Sequence, residues 1–401
     1  MTDDWTAWGP LAERYRTPGP RRILALDGGG IRGVITLGVL ARLESLLRER
    51  FHRPDLRLSQ FFDLVGGTST GAIIATGLAR GMSVAEISEF YTRFGTVAFE
   101  RRHVWQKWRA LYGEGGLEKT LKDTFGADTD LAPEHLQCLL MAVTRNATTD
   151  SAWPISSNPA AKYNDTARPD CNLRIPLWKL VRASTAAPVY FPPEVVSWDE
   201  SDPAKSFVFV DGGTTAYNNP AFLLYRMATE PAYRLGWSTG EDQLLIVSVG
   251  TGSAPVIGNI AQDPSTNVIE AALNTLSSLM SQTAVDQDIN CRTIGRCTYG
   301  GIIDRELHDL IPIDPQTPDQ PLGLERDTGK AFLYVRYNAE LTDDGLRQLG
   351  LDGLDPNELR KMDDVANLPQ LRQVGAALGE RVSLTHLGPF ATPGAQAEHR
   401  R

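Results

Sequence analysis

Twice near its start the chain runs from a short apolar segment into a glycine-rich turn and out again into a helix. Ile23-Leu24-Ala25-Leu26 stops at Asp27-Gly28-Gly29-Gly30, after which Val39, Leu40, Leu43, Leu46 and Leu47 recur at helical spacing. Phe61–Val65 stops at Gly66-Gly67-Thr68-Ser69-Thr70-Gly71, and Ile73, Ile74 and Leu78 follow. A strand that breaks at glycines and resumes as an amphipathic helix is the building unit of an α/β sheet. Further strands are expected at Leu139–Val143, Phe207–Val210, Leu244–Val249 and Phe332–Val335. Their nearly continuous apolar character is that of strands covered on both faces. The predicted fold is therefore α/β, a three-layer α/β/α sandwich around a mostly parallel central sheet. Chemistry in such sheets gathers at the carboxyl ends of strands, where both glycine turns fall.

A chain of 401 residues, 42% apolar and 22% charged, is a globular sequence able to bury a large core. Its net charge of −9 argues against a nucleic acid polymer as partner. Arg101, Arg102, His103, Lys107 and Arg109 cluster locally, which reads as a solvated helix face or a small basic patch. Cys138, Cys171, Cys291 and Cys297 form no C-x-x-C pair, so reduced thiols and no metal or other cofactor are expected. The first residues carry two acids and no basic or apolar leader, and no apolar run is long enough to span a bilayer. The expectation is a cytoplasmic protein, peripheral at the inner face of the membrane where it meets lipid. Residues 1–20 read as an N-terminal arm closed by Pro18-Gly19-Pro20, 21–255 as a catalytic core, and 256–401 as a helix-rich portion packed on it. Ser83 and Glu86 form a capping box for a helix between the second glycine turn and that basic cluster.

Three segments carry chemistry. Gly67-Thr68-Ser69-Thr70-Gly71 is a G-x-S-x-G between a strand and a helix. A serine raised on such a turn is an exposed nucleophile, with small neighbours allowing the bend and a helix N-terminus facing developing negative charge. The competing reading is a tight turn in which the glycines only ease packing. Asp27–Gly33 offers converging N–H groups from Gly28, Gly29 and Gly30, suited to an oxyanion hole. The same spacing, Gly28, Gly30 and Gly33, also suits a phosphate or dinucleotide loop, although no lysine is present. Arg32 reads as an anchor for this loop or a contact for a lipid phosphate, and Asp27 as a cap on its own turn. Val210-Asp211-Gly212-Gly213 ends a strand in an acid, as a general base would require, or forms an ordinary Asx turn. Of six histidines only His308, His386 and His399 follow Asp211, and none sits in a motif expected of a triad. A carboxylate within hydrogen-bond reach can accept a serine proton by itself.

Taken in order, Asp27–Gly33, Gly67–Gly71 and Asp211–Gly213 resemble the patatin-like phospholipase family. Val181–Pro188 with Phe191-Pro192 and Leu245–Gly252 are similar to two further family segments, so the resemblance covers about residues 21–255. It implies Ser69 as nucleophile, Asp211 as base, and the Gly28, Gly29 and Gly30 amides as the oxyanion hole, with Arg32, Gly67, Gly71 and Gly212 in support. It also implies hydrolysis of glycerophospholipid acyl esters without a metal. Lys361–Asp364 and Asn367–Gly375 resemble the closing segment of bacterial members, some of them anti-phage effectors switched on by a cyclic nucleotide. A cyclic nucleotide is thus a candidate activator, and a homo-oligomer a candidate assembly. Val104–Tyr112, with Trp105 and Trp108 beside basic residues, is either a lid at the lipid interface or a packed aromatic helix. A catalytically silent lipid-binding or storage protein, or a nucleotide-binding protein using the glycine loop, are the alternatives from other classes.

Overall fold

The structure, a computed structural model, describes residues 5–98, 115–199, 201–254, 268–301, 303, 313–314, 317–321 and 329–392. Nine strands form one sheet: β1 (Arg21–Leu26), β2 (Leu64–Thr68), β3 (Leu139–Asn146), β4 (Ser151–Ser156), β5 (Glu194–Ser197), β6 (Ser206–Asp211), β7 (Leu244–Val249), β8 (Arg296–Tyr299) and β9 (Leu333–Tyr337). Their order is β5-β6-β3-β2-β1-β7-β9-β8, with β4 also on β3. From β3 to β8 every pairing is parallel, whereas β4, β5 and β6 pair antiparallel. Three of these strands, β4, β5 and β8, were not foreseen. Pro154 lies within β4, and β5 and β8 have four residues each, so none presents the long apolar run that marks a buried parallel strand.

Side chains alternate across β1, so Leu24 and Leu26 enter one hydrophobic core while Ile23 and Ala25 enter the other. Helices α1 (Gly33–Phe51), α2 (Thr70–Ala79), α3 (Val84–Ala98), α4 (Gly115–Phe125) and α5 (Leu177–Ser184) belong to the first face. Helices α6 (Ala221–Thr229) and α7 (Val268–Ile294) belong to the second, and α8 (Leu368–Gly379) returns to the first against α1. This is the three-layer sandwich. Trp8, Leu11 and Tyr15 from the first twenty residues are buried in the second core, and β8 and β9 place residues beyond 256 within the central sheet.

The expected strand at Phe61–Val65 is shifted. Leu58–Phe61 is a helical turn, and β2 runs through both glycines to Thr68. Asp63 explains the boundary, since it accepts from the Arg22 N–H at 2.9 Å and pairs with Arg14 at 3.0 Å, fixing the chain before the strand begins. Ser83 and Glu86 do form the reciprocal cap, with Ser83 N to Glu86 Oε2 at 2.7 Å and Glu86 N to Ser83 Oγ at 3.2 Å. The register also positions the site. Thr68 pairs with Val143 on β3, and the next residue of β3, Thr144, pairs with Asp211. Antiparallel β6 thus delivers its last residue to the carboxyl end of the parallel strands, because β3 runs on beyond them.

Candidate active site

Ser69 stands between β2 and α2 with φ 53° and ψ −121°. A positive φ in a residue with a β-carbon is strained by about 1–3 kcal/mol and persists only where its surroundings dictate it. Here they do. A β-carbon on Gly67 would lie 2.1 Å from the Gly71 backbone, and one on Gly71 would lie 2.2 Å from Leu26 O. The two glycines therefore let the first turn of α2 press against β1 and β2, which forces the bend at Ser69. The Ser69 N–H donates to Ser184 Oγ at 3.0 Å, and that hydroxyl donates to Val143 O at 2.6 Å. Ser184, the last residue of α5, thus ties the bend to β3.

Asp211 closes β6. Its Oδ2 accepts from Ser69 Oγ at 2.6 Å, and its Oδ1 accepts from the Gly213 N–H at 2.7 Å. Gly212 opens the turn Gly212–Thr214 that presents this amide. Asp211 is only 3% exposed and Ser69 8%. Burial pushes the Asp211 carboxyl up to about 6, against the opposing pull of the Ser69 hydroxyl, the Gly213 amide and the charge of Arg182. A carboxylate so tuned is ionised at neutral pH, yet holds a proton more readily than an exposed one. The pair borders a narrow cavity of about 60 Å³, with Ile73, Ala187, Tyr190, Phe191, Met280 and Met362 supplying apolar walls.

The glycine loop lies over this cavity, with its amides unevenly used. The Gly28 N–H, expected to face an oxyanion, instead donates to Asn218 O at 3.1 Å, and Ile31 N–H donates to Met362 O at 2.9 Å. Among the described residues the amides of Gly29 and Gly30 have no acceptor within the protein. Gly30 lines the cavity at φ +60°, and a β-carbon there would meet Met362 O at 2.2 Å. Tyr91 of α3 donates its hydroxyl to Gly30 O and lies 2.5 Å from Thr70 Oγ1, joining the loop to the serine turn.

Asp27 does not cap its own turn. Arg336 of β9 grips its carboxylate with two N–H groups, at 2.8 and 2.5 Å, and also donates to Ser248 Oγ at 2.7 Å. A buried acid at the end of a central strand needs a full counter-charge, and the cation two strands away meets that need where backbone donors would not. Arg32 is buried near Asp27, Tyr190 and Tyr91, with Nε and Nη1 lacking partners among the described residues. Burial lowers its pKa to about 10, against the opposing pull of Tyr190 and Asp27, which leaves it charged at neutral pH.

Among the described histidines none touches Ser69 or Asp211. His135 bonds Asp130, and His386 bonds Tyr337 and stacks on Tyr299, with burial lowering its pKa to about 4. Val104–Tyr112 with its tryptophans, the basic cluster at 101–109, His308 and His399 lie outside the described residues. Sequence reasoning overlooked Asn218, Ser184, Met362 and Arg336 as supports. Ser184 and Met362 lie in the family-like segments Val181–Pro188 and Lys361–Asp364, and Arg336 is a cation following an apolar strand, whereas Asn218 carries no such signal. Among the described residues no cluster of acids, cysteines and histidines is suited to a metal ion.

Comparison with known proteins bears on this geometry. The family model described as patatin-like phospholipase matches residues 24–225. The chain is 31% identical over 210 residues to a cGAMP-activated phospholipase of Escherichia coli (strain TW11681), covering 50% of this chain and 54% of that one. It is 28% identical over 247 residues to Patatin-15 of Solanum tuberosum, covering 58% of this chain and 60% of the relative. The chain thus spans little more than half the length of these relatives. The crystal structure of VipD from Legionella pneumophila aligns at a TM-score of 0.36 and 14% identity, over 92% of this chain and 67% of that one, a likeness too loose to carry an argument.

Proposed function

The chain belongs to the patatin-like phospholipase family, and from that premise we propose that it is a serine lipid acyl hydrolase working through a Ser69–Asp211 dyad. One observation carries the reading: a serine hydroxyl on a strained turn lies 2.6 Å from a buried carboxylate beside an apolar cavity. In this mechanism Asp211 takes the proton of Ser69 as Oγ attacks the acyl carbonyl carbon. The oxyanion forms against the Gly29 and Gly30 amides, each donor worth about 2.7–4 kcal/mol. Asp211 returns its proton to the departing alcohol, leaving an acyl group on Ser69. It then takes a proton from the water that attacks the acyl carbonyl and gives it to Ser69 Oγ as the fatty acid leaves. The apolar walls suit an acyl chain, which favours glycerophospholipid esters as the substrate class. Val189 and Leu279 are exposed and next in sequence to the lining residues Tyr190 and Met280, and they serve as peripheral membrane contacts.

The finer reading is that a cyclic nucleotide raises this activity, as the name of the Escherichia coli relative, a cGAMP-activated phospholipase, says of that protein. The chain then acts as an effector that degrades membrane phospholipid in anti-phage defence. A phosphate-binding role for the glycine loop fits less well, because the Gly28, Ile31 and Arg32 amides already have acceptors. The test is release of fatty acid from phosphatidylglycerol and phosphatidylethanolamine vesicles by the full chain, with and without cGAMP. Fatty acid release that disappears with Ser69→Ala supports the reading. An equal rate in that variant overturns it.

A further inference from the structure

A second cleft, of about 530 Å³, lies away from the dyad between α4, the start of α5 and the end of edge strand β5. That volume is in the range of sites for small organic ligands. Its chemistry runs against that of the whole chain, whose net charge is −9. Lys122, Arg174 and Lys179 line it, beside Trp178, Trp198 and one acid, Asp128. Arg174 donates only to backbone carbonyls, including Thr166 O at 2.6 Å and Arg168 O at 3.0 Å. Among the described residues no carboxylate pairs with Arg174 or Lys179. Lys122 pairs with Glu118 at 2.5 Å and sits 4.2 Å above the Trp178 ring. Trp198 packs on Trp153 and Phe207 at the edge of the cleft, with its indole N–H buried and without an acceptor among the described residues.

We propose that this cleft binds a nucleotide, and that its occupancy adjusts the catalytic cavity. Arg174 and Lys179, with no carboxylate partner among the described residues, call for phosphate, and indoles suit the flat face of a base. Asp128 would repel a bare phosphate but suits the amino and imino donors of a purine. The link to catalysis is covalent. Trp178 and Lys179 form one wall of the cleft and Val196–Trp198 another, and the chain between these walls supplies Thr185, Ala187, Tyr190 and Phe191 to the catalytic cavity. Lys179 is five residues, about 7.5 Å along a helix, from Ser184, which holds the Ser69 amide. The same stretch contains Val189 at φ 73°, a conformation that a β-branched residue keeps only under constraint. A ligand drawing the two walls together therefore acts on the segment that shapes the cavity and on the helix that fixes the nucleophile.

The inference rests on the reading that a cyclic nucleotide controls this enzyme, and one experiment separates the two. Isothermal titration calorimetry on the full chain, with cGAMP, GMP and inorganic phosphate as probes, is run beside a soluble-ester assay. The proposal expects cGAMP to bind the parent chain. It expects Lys179→Glu to weaken binding about tenfold or more and Trp198→Phe to weaken it several-fold, while basal hydrolysis and melting temperature stay unchanged. Undiminished cGAMP binding in both variants would overturn the cleft assignment and leave nucleotide control standing. Phosphate binding as tightly as cGAMP would overturn the nucleotide as ligand. Absence of binding by all three probes would overturn both the cleft and nucleotide control, while intact basal hydrolysis would still support the dyad.

Discussion

The two glycine turns share one grammar, strand then glycines then helix, but differ in what holds them. The serine turn is shaped chiefly by its own neighbourhood: Gly67 and Gly71 are four residues apart and their missing side chains let the bend form, while the Ser184 hydroxyl ties it to β3. The Asp27–Gly33 loop is held from far along the chain, by Asn218, Met362 and an arginine 309 positions away. The serine turn is thus shaped mainly by residues within and beside it, whereas the glycine loop depends on the packing of residues beyond 256 against the sheet.

The largest effect is expected where the two turns meet, at the Ser69–Asp211 pair. Ser69→Ala should lower lipid hydrolysis by about 10⁴-fold or more, as should Asp211→Asn, measured as kcat on vesicles. The second substitution should also stabilise the protein. The Asp211 carboxyl is raised in the fold, so its contribution to stability is present at acid pH and lost as pH rises through about 6. Removing the buried charge should restore on the order of 2–3 kcal/mol at pH 8, read by urea unfolding.

Next in size is the distant support. Arg336→Met leaves Asp27 buried without its fork and should cost about 3–5 kcal/mol, with loss of activity. The double variant Asp27→Asn with Arg336→Met should lose less than the two single losses combined. Strict additivity would mean the pair does not hold the loop. Ser184→Ala, the equivalent test of the serine turn, should cost about 1–3 kcal/mol by stranding the Ser69 amide. The smallest effect is the pH response of the parent chain. Because Asp211 must be ionised to accept a proton, kcat/KM should fall about tenfold from pH 7 to pH 5 around a midpoint near 6.

The same contrast accounts for what could be read in the sequence. The layered fold and both glycine turns were visible because period and glycine placement are local signals. The Ser69–Asp211 approach was inferable from two strand ends, but not the means of achieving it. An antiparallel β6 pairing with the overrun of β3 is a matter of register, which no single segment encodes. The expected strand at Phe332–Val335 stopped one residue before Arg336, and so missed the cation that neutralises Asp27. Gly28 is indistinguishable from its neighbours in the sequence, where nothing local announces that Asn218 O occupies its amide.

A Ser69–Asp211 pair that works without a histidine is tested most directly by intact-mass and peptide analysis after treatment with a fluorophosphonate. A single adduct on Ser69, formed readily by the parent chain and far more slowly by Asp211→Asn, is the result expected. Lipid hydrolysis that continues with Ser69 unlabelled, or an adduct on another serine, would contradict it.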